Sequence, residues 1–139
     1  MDTSEAVAAR IRPVLERAPV VFSLLFGSVA RGEERADSDV DVAVRYEPEL
    51  SAAQRFGRTL QLGAELERAL ERPVDLVDLD EVPQRLAGRI LTERVVVTGL
   101  ERPERVRYET EVLKRYLDFE EHARRQDRRL LEAMARGER

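Results

Sequence analysis

The fold that we expect for this chain is decided by the segment Val20-Val21-Phe22-Ser23-Leu24-Leu25-Phe26-Gly27-Ser28, followed by Asp39-Val40-Asp41. The run from Val20 to Phe26 is short, apolar and β-branched at its start, which predicts a buried strand. The residues from Gly27 to Ser38 are rich in Gly, Ser and charge, and predict a loop with room for one helical turn.

The two aspartates Asp39 and Asp41 begin a second predicted strand, in which valines 40, 42 and 44 occupy the alternate positions. Side chains two residues apart on a strand project from the same face, so the two carboxylates point one way while the valines face the core. Carboxylates this close raise each other's pKa, and a cation between them relieves the repulsion. Mg²⁺ prefers one or two carboxylates with phosphate oxygens and water, so the pair predicts a metal site that a nucleotide completes.

Gly27 and Ser28, at the end of the first strand, are the predicted phosphate-binding residues. Glycine lets the backbone approach a phosphate closely, and a helical turn that follows it offers free N–H groups. A Gly-Ser pair alone usually marks a turn, and Asp39 and Asp41 alone could belong to a polar turn. Their joint placement favours a functional site.

A third strand, Val74-Asp75-Leu76-Val77-Asp78, is predicted after Pro73. It carries Asp75 in an apolar run, although strand interiors disfavour aspartate. A neighbouring strand could bring Asp75 beside Asp39 and Asp41, and three carboxylates can hold two metal ions. Asp75 could instead be a surface residue of an edge strand, and Asp78 is a rival position nearer the end of the strand.

The remaining pattern alternates helices and strands, which predicts a single α/β (α+β) domain. Ser51 can cap a long helix that ends near Glu71, with one apolar face. The other predicted elements are a helix from Ser4 to Arg17, a helix from Val82 to Leu91, a strand from Arg94 to Thr98 and a final helix that Pro103 opens. The predicted apolar face of the long helix consists of Phe56, Leu60, Gly63, Leu66 and Leu70.

The final segment, Glu101–Arg139, interleaves acids and bases densely along an apolar stripe. One interpretation is a helix that packs back on the sheet. The alternative is a helix that projects and offers its stripe to another chain. The stripe consists of Val106, Leu113, Tyr116, Leu117, Phe119, Ala123, Leu130 and Met134.

The composition excludes several classes of function. The 139 residues are 42% apolar and 37% charged, with a formal net charge of −4, so no basic field indicates direct binding of nucleic acid. The chain has no cysteine and a single histidine, His122, which argues against zinc sites and a Ser-His-Asp triad. The longest apolar run is too short to span a bilayer, and no signal peptide is recognisable, so we expect a cytoplasmic protein without a membrane anchor.

The run from Leu25 to Gly32, leading to Asp39-Val40-Asp41, resembles the G-S-x₁₀-D-x-D signature of the DNA polymerase β-type nucleotidyltransferases. Its small prokaryotic branch, the minimal nucleotidyltransferases (MNT), is the most similar. The resemblance implies a small mixed sheet flanked by helices, with a nucleotidyltransferase domain over residues 1–99 and a C-terminal amphipathic helix over residues 100–139. The strand that contains Asp75 resembles the one that carries the third carboxylate of the family.

The resemblance also implies roles for the site residues. Asp39 and Asp41 would bind Mg²⁺, with two ions expected, and Asp75 would complete the metal site and help to activate the acceptor hydroxyl. Gly27 and Ser28 would hold the triphosphate of ATP. Arg31 would either contact phosphate or form a salt bridge with the acidic loop that follows it.

MNT proteins often pair with HEPN-domain ribonuclease toxins, so the resemblance implies an antitoxin that transfers AMP from ATP to a toxin hydroxyl, with tyrosine the expected acceptor. Two alternatives stay open at the level of the sequence. One is an aminoglycoside-type transferase for small molecules, which usually needs a second helical domain. The other is an antitoxin that binds its partner without catalysis, against which the three retained carboxylates argue.

Overall fold

The computed structural model describes residues 3–33 and 38–137, and within them the chain forms four strands and five helices. The predicted loop from Gly27 to Ser38 contains one short helix, and its residues 34–37 lie outside the described ranges. The strands are β1 (Val20–Phe26), β2 (Val40–Tyr46), β3 (Val74–Asp78) and β4 (Val95–Thr98). The helices are α1 (Thr3–Glu16), α2 (Gly27–Arg31), α3 (Ala52–Leu70), α4 (Gln84–Glu93) and α5 (Pro103–Ala135).

The strands form one mixed sheet in the order β3-β2-β1-β4. β1 pairs antiparallel with both β2 and β4, whereas β2 and β3 are parallel. Parallel neighbours need a crossover connection, and α3 supplies it. The predicted α/β class and the small mixed sheet flanked by helices are confirmed.

Helices cover the sheet on both faces. On one face α1 and α3 pack against Val40, Val42 and Val44, all of which are fully buried, as the alternation in the sequence predicts. On the other face α4 and the first part of α5 pack against Phe22, Leu24 and other apolar side chains of the sheet. Each face buries its own apolar cluster, which leaves the strand ends as the places where polar side chains can gather.

The buried face of α3 differs from the predicted one. Leu66 and Leu70 are buried as expected, but Phe56 is 70% exposed and Leu60 is 64% exposed. Leu62 lies on the buried side instead. The reason is that Arg55 and Thr59 share the inward face with these leucines, where Arg55 pairs with Asp78 and Thr59 hydrogen-bonds Tyr46.

The predicted cap at Ser51 is present, and it forms part of a capping box. The Ser51 hydroxyl accepts a hydrogen bond from the Gln54 N–H, and the Gln54 side chain accepts one from the Ser51 N–H. By contrast, α4 begins at Gln84, two residues later than predicted. Val82 precedes Pro83, and a residue before proline is driven away from helical geometry.

The C-terminal helix α5 packs back on the sheet, as one of the two interpretations expected, but only along its first part. Its first part packs on the domain: Tyr108, Val112 and Leu113 border the apolar cluster on the α4 face, and α5 meets α4 at Gly88. A Cβ atom on Gly88 would collide with the ring of Tyr116, so this glycine sets the close approach of the two helices. The remainder of α5 exposes its apolar side chains, including Leu130, Leu131 and Met134.

A buried ionic network fixes the base of α5. Arg94, just before β4, donates two hydrogen bonds of 2.8 Å to the Glu109 carboxylate, and Arg105 donates a third at 2.7 Å. Glu109 is 7% exposed, so removing one member would leave a buried charge without its partner. The network therefore attaches α5 firmly to the sheet. No helix among the described residues is long and apolar enough to cross a membrane.

Candidate active site

Asp41 occupies the centre of the candidate site because of its register in the sheet. It lies opposite Phe26 of β1 and opposite Asp75 of β3. Register partners on neighbouring strands project from the same face, so the Asp41 and Asp75 side chains lie side by side. That face is the α4 face, since Phe26 and Val77, the residue two after Asp75, belong to its apolar cluster.

Asp39 joins this surface from the residue before β2. Asp39 and Asp75 are exposed, whereas Asp41 is partly buried between them. Burial raises the pKa of the Asp41 carboxyl above its usual value, and the charges of Asp75, Asp39 and Glu93 raise it further, while Arg31 opposes the shift. The surface thus holds a carboxylate whose ionised form is disfavoured until a positive charge arrives.

Gly27 brings the predicted phosphate-binding turn onto the same surface. Its φ angle is +75°, in the left-handed region that favours glycine. A Cβ atom on Gly27 would collide with Oδ2 of Asp41, so a larger residue would displace the carboxylate as well as strain the backbone. The Gly27-Ser28 turn and the Asp41 carboxylate are therefore in direct contact and form one surface.

The donor set of this surface fits Mg²⁺ in one particular way. In the part of the chain that the structure describes, no three His, Cys, Asp or Glu side chains are grouped closely enough to hold a metal ion by themselves. Mg²⁺ is commonly bound by one or two carboxylates together with substrate phosphates and water, rather than by a cage made only of protein. Asp39 and Asp41 fit that pattern, with the Gly27-Ser28 turn beside them.

Glu93 is a site residue that the sequence patterns did not identify. Its Oε1 accepts a hydrogen bond from the Gly27 N–H at 2.9 Å, and its Oε2 accepts one from Nη1 of Arg31 at 2.8 Å. One signal could have revealed it. Glu93 is the last residue of α4, and the helix dipole disfavours an acid at a C-terminus, so an acid there indicates a compensating tertiary partner.

Two other positions that the sequence singled out are placed as follows. Asp78 is buried and accepts a 2.8 Å hydrogen bond from Nε of Arg55, and it lies opposite Val44, three residues along the strand from Asp41. Asp78 therefore belongs to a structural ion pair and not to the acidic surface.

Arg31 forms ion pairs with Glu33 at 3.1 Å and Glu93 at 2.8 Å, so the predicted salt bridge to the acidic loop is present.

A small mixed sheet with a Gly-Ser turn against two aspartates at i and i+2 and a third aspartate on the neighbouring strand defines a nucleotidyltransferase domain. The model of the family described as polymerase β nucleotidyltransferase matches residues 9–102. The chain belongs to this family.

Relatives of the chain agree with that assignment. The protein adenylyltransferase MntA of Thermococcus cleftensis is 38% identical over 96 residues, which cover 69% of this chain and 93% of that protein. A solved toxin–antitoxin with AMP-PNP superposes with a TM-score of 0.67 at 22% identity, covering 89% of this chain and 98% of that chain. A solved complex of a tri-AMPylated Shewanella oneidensis HEPN toxin with MNT antitoxin gives a TM-score of 0.63 at 19% identity, covering 92% and 98%. These two structural likenesses show the fold.

The contrast between Asp75 and Asp78 gives a matched pair of variants on one strand. We expect Asp75→Asn to lower the rate of nucleotidyl transfer about 100-fold or more without lowering the melting temperature, because Asp75 is exposed and is the predicted third carboxylate of the metal site. We expect Asp78→Asn to lower the melting temperature by several degrees, because it breaks a buried ion pair. Transfer rates and thermal unfolding of both variants check this. The reverse pattern would make Asp78 the third carboxylate.

Proposed function

We propose that this chain transfers AMP from ATP to a tyrosine hydroxyl of a HEPN-domain ribonuclease toxin and thereby acts as its antitoxin. The observation that carries the proposal is the contact between the Gly27-Ser28 turn and Asp41, with Asp39 and Asp75 on the same surface. This arrangement places a phosphate-binding turn against carboxylates that favour a cation. The combination suits a nucleoside triphosphate bound with Mg²⁺.

Asp39 and Asp41 would bind Mg²⁺ at this surface, and Asp75 would complete the metal site. A second metal ion, bound at Asp75, stays a prediction. When bound, the metal supplies positive charge that offsets the negative charge of the phosphates during the displacement. Gly27 and Ser28 would bind the triphosphate through backbone N–H groups and the serine hydroxyl. The chain's own contribution is to fix the nucleotide in line with the incoming hydroxyl.

The transfer step would run as an in-line displacement. The acceptor oxygen attacks the α-phosphorus and forms the new O–P bond, while the bond from that phosphorus to the bridging oxygen of the β-phosphate breaks. Pyrophosphate leaves with the electron pair, and the acceptor proton passes to a base. Asp75 is the proposed base, because it is exposed and adjacent to Asp41 in the sheet register.

The openness of the site supports a protein acceptor. Asp39 and Asp75 are exposed, and β3 is an edge strand, so the carboxylate surface opens outward. After β4 the described residues form the helix α5, whose first part packs on the α4 face and leaves Asp39 and Asp75 exposed. A partner protein would then deliver its hydroxyl and position it through the interface. The solved HEPN toxin that is tri-AMPylated in complex with an MNT antitoxin is a precedent for such an acceptor.

An AMP group on the toxin would add bulk and negative charge, which opposes binding of RNA phosphates. Because the reaction consumes ATP, we expect it to take place in the cytoplasm.

The formal net charge of −4 does not favour direct binding of nucleic acid by this chain.

The direct test is to co-express the chain with its HEPN-domain partner and weigh the intact partner by mass spectrometry. We expect a mass gain of one or more AMP groups with the wild-type chain. The Asp39→Asn and Asp41→Asn variants should give none, because each removes a proposed metal ligand. Both variants should stay folded, since the two carboxylates lie at a polar surface.

An unmodified partner in the presence of active wild-type chain, ATP and Mg²⁺ would refute AMP transfer. If that unmodified partner were nevertheless neutralised, an antitoxin that acts by binding alone would be the correct description. A mass gain that persists in both aspartate variants would move the active site elsewhere.

We further propose that the outer part of α5, residues 121–137, is the docking surface for the toxin. It exposes Leu130, Leu131 and Met134 at 59%, 65% and 62%. Its five arginines and three acids give it a net charge of +2 in a chain whose net charge is −4. An amphipathic helix of this kind fits an apolar groove with an acidic rim on a partner.

Two substitutions in the outer part of α5 test whether it binds the toxin, and they leave the packed part of the helix intact. We expect Leu130→Glu with Met134→Glu to weaken the affinity for the toxin at least about 10-fold, because each places a charge at an apolar contact. The melting temperature of the free chain should not change. Glu132→Gln on the same segment is the control and should bind normally. Full affinity of the double variant, measured by calorimetry, would exclude this surface.

A further inference from the structure

Glu93 closes the candidate active site from the end of α4, and the proposed transfer step does not use it. Its carboxylate accepts hydrogen bonds from the Gly27 N–H at 2.9 Å and from Nη1 of Arg31 at 2.8 Å. One side chain therefore bridges the first and last residues of α2 from a helix that is 62 to 66 residues away in sequence. The Glu93 side chain is 26% exposed, so this bridge lies at the rim of the site.

We propose that Glu93 is a positioning residue for AMP transfer: its carboxylate fixes the Gly27-Ser28 turn and holds the Arg31 guanidinium toward the triphosphate of ATP. The inference rests on the proposed function, because it assigns Glu93 a part in that reaction. Glu93 would not touch the reacting atoms, and its effect would pass through Arg31 and the turn.

The position of Arg31 supports this role. Its charge opposes the rise in the pKa of the Asp41 carboxyl, so the guanidinium lies within electrostatic reach of the proposed metal ligand. The ion pairs formed by the described residues use Nε, toward Glu33, and Nη1, toward Glu93. A guanidinium is a rigid planar fork of donors, so the Nη1 hydrogen bond to Glu93, the less exposed of the two partners, sets the direction of Nη2, which a phosphate oxygen can take.

The Glu93 carboxylate also repels the anionic triphosphate, and this repulsion opposes the benefit of an oriented Arg31. The pairing with Arg31 decides which of the two effects is larger. The charges of Glu93 and Arg31 offset one another, so the pair presents an oriented donor with little net charge. Donors that are fixed in advance contribute most where negative charge develops during the reaction, here on the departing pyrophosphate. Loss of Glu93 should therefore lower kcat more than it weakens ATP binding.

The test uses Glu93→Gln in the full chain with its HEPN-domain partner as acceptor. Glutamine keeps an acceptor oxygen for the Gly27 N–H but turns an NH₂ group toward Arg31. We expect kcat for AMP transfer to fall about 10-fold or more, since small misplacements of a positioned group have effects of this size. The dissociation constant of α,β-methylene-ATP with Mg²⁺, whose α–β bridge cannot be cleaved, should change by less than about threefold if the loss lies in the transition state.

Two comparisons separate positioning from a merely structural role. Glu33→Gln removes the more exposed acidic partner of Arg31, at 67% exposure, and should leave kcat near the wild-type value. In an Arg31→Met background, Glu93→Gln should cause no further loss, because residues that act through one another are not additive.

Wild-type kcat in Glu93→Gln, or losses that multiply in full in the double variant, would overturn the positioning role while leaving the proposed function in place. A loss of kcat that is matched by an equal loss of folded protein would overturn it as well. A wild-type chain that transfers no AMP would instead remove the proposed function, and this inference with it.

Discussion

The contact between Gly27 and the Asp41 carboxylate is the constraint on which the rest of the structure depends. The antiparallel register of β1 with β2 places Phe26 opposite Asp41, and the next residue must then pass over that carboxylate. Only glycine leaves room, and the positive φ of Gly27 turns the chain into α2 at that point. The turn that we propose binds phosphate and the carboxylate that we propose binds the metal are thereby brought together by the geometry of one strand pair.

This arrangement carries an electrostatic cost. Asp41 is partly buried, with Asp75 and Asp39 beside it, and its pKa is raised for both reasons. The opposite face of the sheet offsets this cost, because Val40, Val42 and Val44 are fully buried against α1 and α3. The same strand thus anchors the domain with one set of side chains and holds a charged surface with the other. Sites of this kind are commonly less stable than the scaffold around them.

Much of this could be predicted from the sequence because period-2 alternation fixes which side chains share a face. Asp39, Asp41 and the valines follow that rule, and Asp75 lies where a parallel neighbour would place it. The buried face of α3 was predicted wrongly at Phe56 and Leu60. Helical periodicity counts apolar residues, and here Arg55 and Thr59 take inward positions through polar contacts across the fold.

Glu93 and the division of α5 into two parts were not predicted, for a related reason. Glu93 contacts Gly27 across 66 residues of sequence, so its position at the site is a product of tertiary structure. The apolar stripe of α5 is continuous in the sequence. The structure divides it in two ways: Val106 and Leu117 are 50% and 58% exposed even where the helix packs on the domain, and Leu130 and Met134 extend past the packed part.

The measurement that tests the central claim most directly is the thermal stability of wild-type chain and Asp41→Asn, each with and without Mg²⁺ and α,β-methylene-ATP. Because the pKa of Asp41 is raised in the fold, its ionised form destabilises the wild-type chain as the pH rises. We therefore predict that Asp41→Asn is the more stable at neutral pH without ligand, and that this advantage shrinks on acidification. With metal and nucleotide, the wild-type chain should gain stability and Asp41→Asn should not. Equal gains for both chains would contradict the account.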